Sequence, residues 1–141
     1  MPGFKPAADL HRRLFHNILI MPKSRILVID DEADYCQIMK HFFQEKNHEV
    51  DLAYTLHQGL SILEKSPHDI LFLDNNLPDG QGWESVEDIV EKYPQLRIYL
   101  VSAYRQRSDF KGDQPNIIVW EKPISLSELE SVDQSLQKDS I

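Results

Sequence analysis

The chain has 141 residues, of which 41% are hydrophobic and 27% charged, and its formal net charge is -8. This length suits one domain that buries roughly two thirds of the surface of its unfolded chain. The acidic balance argues against nucleic-acid binding as the main function, and the longest apolar run, residues 18–21, is too short to cross a bilayer. The single cysteine, Cys36, cannot form an internal disulfide. We therefore predict a location in the reducing cytoplasm, with no membrane contact.

Residues 1–24 differ from the rest of the chain and are predicted to be an N-terminal extension. Residues 1–25 hold five of the fifteen basic residues and one acidic residue, and prolines bracket segment 9–21. Its apolar residues recur at helical spacing. Two interpretations stay open: a weakly ordered extension, or an amphipathic helix that docks on the domain or on a partner.

From residue 25 onward, strand and helix patterns alternate. Apolar runs within 26–29, 70–73, 97–101 and 116–120 predict four strands, and the alternation of polar and apolar residues over 49–53 predicts a fifth, nearer the edge of the sheet. Helical spacing predicts helices over 33–47, from an N-cap at Thr55 to Ser66, over 83–92, and from an N-cap at Ser125. Segment 104–115 is too polar to predict a full helix. This alternation predicts an α/β domain with a doubly wound parallel sheet over 25–138, a short tail over 139–141, and no room for a second domain.

Polar side chains follow the predicted strands at the points where these strands end: Asp30 and Asp31, Asp74, Ser102 and Lys122. Because parallel strands place their carboxyl ends at one edge, we expect these five side chains to converge. Three neighbouring carboxylates raise one another's pKa unless a cation lies among them, and Mg²⁺ is a cation that prefers carboxylate oxygens. One such carboxylate can attack phosphorus and form an aspartyl phosphate, with Lys122 and Ser102 placed to hold the phosphoryl oxygens.

These residues resemble a known family, the receiver domain of response regulators in two-component signalling. Four motifs carry the resemblance: residues 26–32, 73–82, 101–103 and 121–123 stand in the family's order, and the similarity covers about residues 25–138. The resemblance implies the flavodoxin-like receiver fold, a five-stranded parallel sheet in the order 2-1-3-4-5.

The resemblance also implies the roles of the site residues. Asp74 looks like the phosphoacceptor and would also be part of the metal site. Asp31 would be a direct Mg²⁺ ligand. Asp30 would act mainly through water, and Asn76 would offer its backbone carbonyl. Three residues before Lys122, however, this chain has Val119, where the family usually has Tyr or Phe.

The function implied is phosphorelay signalling by a stand-alone receiver, not an enzyme. Its phosphodonor would be a sensor histidine kinase or a histidine phosphotransfer protein, and an unidentified protein would read the signal; no DNA-binding domain is predicted. Two alternatives stay open. A phosphatase of the haloacid dehalogenase type also uses a strand-end Asp, although that family needs a second Asp where this chain has Asn76. A degenerate receiver could serve only for docking.

Several neighbouring residues also have simpler interpretations. The simpler interpretation of Asn75, Asn76 and Asp79 is that they form turns, and for Asp79 this is the prediction. Trp83 and Trp120 are predicted to pack in the core rather than to recognise a ligand, and Cys36 is predicted to be a small buried hydrophobic residue.

Overall fold

The structure is a computed structural model, and it describes residues 24–103 and 116–139. The predicted helix over 9–21 and the segment 104–115 lie outside the described residues. Within the described ranges, no helix is both long enough and apolar enough to cross a membrane.

Five parallel strands form one sheet in the order β2-β1-β3-β4-β5. Their bounds are Arg25–Ile29 (β1), Glu49–Ala53 (β2), Ile70–Asp74 (β3), Arg97–Ser102 (β4) and Ile117–Glu121 (β5). The predicted fold class and strand order are therefore confirmed. β3 lies in the middle and is buried along its whole length, as its uninterrupted apolar run predicts.

Within the part of the chain that the structure describes, four helices flank the sheet: Ala33–Glu45 (α1), Leu56–Lys65 (α2), Val86–Lys92 (α3) and Leu126–Asp139 (α4). The predicted caps are present. Thr55 Oγ1 accepts a hydrogen bond from the Gln58 amide, and Ser125 forms a reciprocal capping box with Glu128. The helix predicted to begin at Trp83 begins instead as a 3₁₀ turn, Gly82–Ser85, because the tight connection after β3 continues to this point.

The core has two layers, one on each face of the sheet. α1 and α4 cover one face with Cys36, Met39, Phe43, Leu129, Val132 and Leu136. α2 and α3 cover the other face with Leu63, Val86 and Ile89. Cys36 is fully buried, as predicted.

A buried polar contact ties α4 to the turn between α1 and β2. His48 Nε2 lies 2.7 Å from Asp133 Oδ1, and Gln137 Nε2 donates to Asp133 Oδ2 at 3.0 Å. Both His48 and Asp133 are buried. Since buried polar groups are costly without partners, this contact fixes how α4 lies against the sheet.

Strand alternation separates Val119 from Trp120. Val119 pairs in register with Leu100 and packs in the layer of α2 and α3. Trp120 points to the opposite face, where its ring centroid is 4.6 Å from that of Tyr99 and 6.3 Å from that of Phe72. Trp120 therefore cannot take the place of the Tyr or Phe that the resembled family usually has at the position of Val119.

Candidate functional site: an acidic pocket with one lysine

Four strands deliver polar side chains to the carboxyl edge of the sheet. Asp30 follows β1, Asp74 ends β3, Ser102 ends β4 and Lys122 follows β5. Asp30, Asp74 and Ser102 are almost completely buried, with 1%, 5% and 2% of their surface exposed. Buried carboxylates need cations or hydrogen bonds, so this edge of the sheet is a candidate functional site.

Asp30, Asp31 and Asp74 form one carboxylate cluster. One oxygen from each residue can be chosen so that all three lie within 4.8 Å of one another. Asp31 is exposed, whereas the other two are buried. The cluster therefore has two inward carboxylates and one that faces solvent, and such a donor set fits a hard divalent cation that keeps several waters.

Lys122 brings one positive charge to this cluster. Its Nζ lies 2.7 Å from Asp30 Oδ2, 3.4 Å from Glu32 Oε1 and 3.9 Å from Asp74 Oδ1. Although burial lowers the pKa of Lys122, its hydrogen bond to Asp30 and the nearby negative charges raise that pKa above its usual value. Lys122 is therefore a firmly charged ammonium held by Asp30, with Asp74 just beyond hydrogen-bonding distance.

The two buried carboxyl groups are poor acids. Burial, followed by the charge of Asp30, raises the pKa of Asp74 to about 7, and Lys122 only partly opposes this shift. Burial also raises the pKa of Asp30, despite its hydrogen bonds to Lys122 and to the Glu32 amide. Without a further cation the carboxylates around Lys122 carry more negative charge than its one ammonium balances, and a divalent cation would offset this excess.

The loop after Asp74 is tightly built. The Gly82 amide donates to the Asn75 carbonyl at 2.9 Å, and the Trp83 amide donates to Asn75 Oδ1 at 3.2 Å. A Cβ at Gly82 would overlap the Asp74 carbonyl oxygen. Glycine at this position therefore lets the chain turn back directly against the end of β3.

Asn76 lies in a small hairpin two residues beyond Asp74. Asn76–Leu77 pairs antiparallel with Gly80–Gln81. Asn76 is exposed, and the use of its backbone carbonyl as a metal ligand stays a prediction.

Asp79, at the tip of this hairpin, does more than the predicted turn formation. Its Oδ1 and Oδ2 accept hydrogen bonds from the Leu56 and His57 amides, each at 2.8 Å. Hydrogen bonds from these two amides lower the pKa of Asp79. The carboxylate satisfies two free donors at the start of α2, a tertiary contact that a local turn motif does not reveal.

Sequence reasoning also missed two residues around Lys122. Glu32 contacts the ammonium, and the ring centroid of Tyr35 lies 4.7 Å from Nζ. Both belong to the stretch just after Asp31, and helical spacing alone could have placed Tyr35 in the first turn of α1, next to the site.

The fold and pocket together define a class: a five-stranded α/β domain with an acidic pocket and one lysine at the carboxyl edge. The family model described as the response regulator receiver domain matches residues 26–113, which is more than half of the chain. The chain belongs to this family of two-component signalling proteins.

Individual proteins show the same relationship. The chain is 26% identical over 84 residues to the response regulator protein PilR of Pseudomonas aeruginosa; the match covers 60% of this chain and 19% of PilR. It is 31% identical over 90 residues to a protein-glutamate methylesterase/protein-glutamine glutaminase of Trichodesmium erythraeum, covering 62% and 25% of the two chains. The chain thus matches a quarter or less of these relatives.

Solved structures of response regulators match this chain over nearly all of their own length. The response regulator TrrA of Thermotoga maritima, in complex with Mg²⁺-BeF, is 29% identical with a TM-score of 0.70, and the match covers 80% of this chain and 98% of TrrA. A two-component response regulator of Clostridium difficile is 26% identical with a TM-score of 0.72, covering 82% and 96%.

Proposed function

We propose that this protein is a phosphoacceptor switch in which Asp74 receives a phosphoryl group from a histidine kinase or a histidine phosphotransfer protein. The observation that carries the proposal is the convergence of Asp30, Asp31 and Asp74 with Lys122 in one pocket. The TrrA complex with Mg²⁺ and a beryllium fluoride supports it by likeness.

In the proposed reaction, a carboxylate oxygen of Asp74 attacks phosphorus, and the bond from phosphorus to the donor's imidazole nitrogen breaks. The new bond makes an acyl phosphate, and the imidazole departs with the electron pair and takes up a proton. Lys122 transfers its hydrogen bonding from Asp30 to a phosphoryl oxygen, and the Ser102 hydroxyl donates to another. The Lys122 ammonium offsets negative charge on the phosphoryl group and the Ser102 hydroxyl helps to orient it, while the departing imidazole takes its proton from solvent.

The carboxylates of Asp30, Asp31 and Asp74 and the backbone carbonyl of Asn76 are the proposed Mg²⁺ ligands, with Asp30 acting mainly through water. Bound Mg²⁺ would supply positive charge that lowers the pKa of Asp74 and stabilises charge on the transferred group. The raised pKa of both buried carboxyl groups supports this assignment, since a divalent cation would offset the cost of burying these charges as well as the repulsion from neighbouring carboxylates.

The proposed signal is a change of surface read by a downstream protein. Residues 25–138 form the receiver and residues 1–24 an extension. We place the protein in the cytoplasm, where Cys36 stays a buried thiol.

The test is phosphorylation by acetyl phosphate with Mg²⁺, followed by intact-mass and peptide mass spectrometry. We expect a gain of one phosphoryl group on Asp74, and quenching of tryptophan fluorescence on addition of beryllofluoride and Mg²⁺. Asp74→Asn should abolish both changes, whereas Asp88→Asn, an exposed acid on α3, should leave them intact.

Two results would contradict the proposal. A folded wild-type protein that gains no mass and binds no beryllofluoride would favour a docking module. Steady turnover of p-nitrophenyl phosphate, lost in Asp74→Asn, would favour a phosphatase.

A further inference from the structure

Tyr35 lies against the lysine of the proposed site. It belongs to the first turn of α1, next to the fully buried Cys36. Its ring centroid is 4.7 Å from Lys122 Nζ, within the distance at which an ammonium is attracted to an aromatic face. The lysine is therefore bounded by carboxylates on one side and by an aromatic ring on another.

The surroundings of Lys122 make this contact strong. Only 12% of the lysine side chain is exposed, so little water competes with the ring. Its strongest polar contact is with Asp30 at 2.7 Å, whereas Asp74 lies at 3.9 Å. When the ammonium leaves Asp30 for a phosphoryl oxygen, the ring can stay beneath it, because attraction to a ring face is less directional than a hydrogen bond.

The hydroxyl of Tyr35 takes no visible part in this arrangement. Its oxygen is buried and has no hydrogen-bond partner among the residues that the structure describes. Burial, followed by the charge of Asp30, raises the pKa of the phenol, so the hydroxyl stays neutral. The ring, rather than the hydroxyl, is therefore the part of Tyr35 that bears on the site.

We propose that Tyr35 is a positioning residue, whose ring holds the Lys122 ammonium where it meets the phosphoryl group during transfer to Asp74. This inference rests on the proposed function and adds a residue to it. Tyr35 acts through Lys122, so its loss slows phosphorylation without removing the acceptor or the proposed Mg²⁺ ligands.

The test compares three variants by their rate of phosphorylation with acetyl phosphate at saturating Mg²⁺. Tyr35→Leu removes the ring and should slow phosphorylation about tenfold, the effect of losing a desolvated cation–π contact. Tyr35→Phe keeps the ring and should recover the rate. The matched control is Phe42→Leu, which removes from the same helix a ring that lies 5.7 Å from Lys46 Nζ, and it should react like wild type.

A second measurement separates positioning from a general loss of structure. The Lys122 ε-protons should show an upfield ring-current shift by NMR in the wild type and in Tyr35→Phe, and this shift should disappear in Tyr35→Leu. The Mg²⁺ affinity should be the same in all four proteins. If Tyr35→Leu does not fold, Tyr35→Met takes its place in both measurements.

Three outcomes would overturn the inference: a Tyr35→Leu protein that reacts as fast as wild type, a Tyr35→Phe protein that is as slow as Tyr35→Leu, or a wild type without the ring-current shift. Failure of the proposed function looks different, because the wild type itself would then remain unmodified at Asp74. The ring-current shift would still report whether the ring holds the lysine.

Discussion

Lys122 is paired with Asp30 at 2.7 Å, and this buried contact links the end of β5 to the end of β1 across the pocket. Removing one partner of a buried pair leaves the other charge without compensation.

We therefore expect Lys122→Met to lower the free energy of unfolding without metal by about 1–3 kcal/mol. Asp30 limits the loss by taking up a proton. Mg²⁺ should reduce the difference in the free energy of unfolding between Lys122→Met and wild type, because it binds the folded pocket and supplies the missing positive charge. Urea unfolding with EDTA and with Mg²⁺ measures both effects. The control is Lys92→Met, whose ammonium pairs with Glu64 at an exposed site; an equal loss with and without Mg²⁺ would contradict the prediction.

The raised pKa of Asp74 predicts a pH-dependent stability. The folded pKa is about 7 against a usual value of 3.8, so between these values the folded state binds the extra proton. The contribution of Asp74 to stability is therefore fully present below about pH 4 and is lost as pH rises to about 7, by at most about 1.4 kcal/mol per pH unit. Thermal unfolding in EDTA should show this slope. It should be smaller in Asp74→Asn and in wild type with Mg²⁺, and an identical slope in Asp74→Asn would rule Asp74 out as its source.

Gly82 cannot carry a side chain in this loop. A Cβ would overlap the Asp74 carbonyl oxygen and lie 2.9 Å from Leu73 Cδ1. Gly82→Ala should lower the free energy of unfolding by about 1–3 kcal/mol, as overpacking does, and should weaken Mg²⁺ binding, since relief requires the end of β3 to move. The neighbouring exposed residue provides the control, Gln81→Ala. Mg²⁺ affinity is measured by calorimetric titration of equally folded samples. An unchanged Mg²⁺ affinity in Gly82→Ala would contradict the prediction that the end of β3 must move.

The pair of His48 and Asp133 should stabilise the fold without serving the site. Asp133→Ala leaves a buried imidazole nitrogen without its partner, and we expect a loss of about 1–3 kcal/mol in the free energy of unfolding. Gln134→Ala, an exposed position on the same helix, should have no measurable effect. Phosphorylation of Asp74 should proceed normally in folded Asp133→Ala; a selective loss of phosphorylation would instead tie α4 to the chemistry.

Sequence periodicity was sufficient for the sheet, because parallel strands buried on both faces are continuous apolar runs, as 26–29 and 70–73 are. Convergence of Asp30, Asp74, Ser102 and Lys122 follows from the same reasoning, since parallel strands end at one edge. The positions of the strand ends could not predict which carboxylate would pair with Lys122. That choice depends on side-chain geometry across residues far apart in the chain.

The missed contacts are tertiary ones. His48 and Asp133 are 85 positions apart, and Asp79 is 22 or 23 positions from the amides that it binds. No local pattern links such residues, so Asp79 could be predicted only as a turn former. The roles of the site residues, including the proposed metal ligands, remain predictions that the phosphorylation experiment tests.

The hydrogen bonds between Asp79 and the start of α2 restrict how the hairpin after β3 can move. Its carboxylate joins the hairpin that follows the phosphoacceptor strand to the Leu56 and His57 amides. Any displacement of the hairpin tip must either break these two hydrogen bonds or carry the beginning of α2 with it. These hydrogen bonds therefore connect the loop before α2 to the hairpin after β3 at the protein surface. A partner that recognises the start of α2 would thus contact a segment that is hydrogen-bonded to the hairpin beside the pocket.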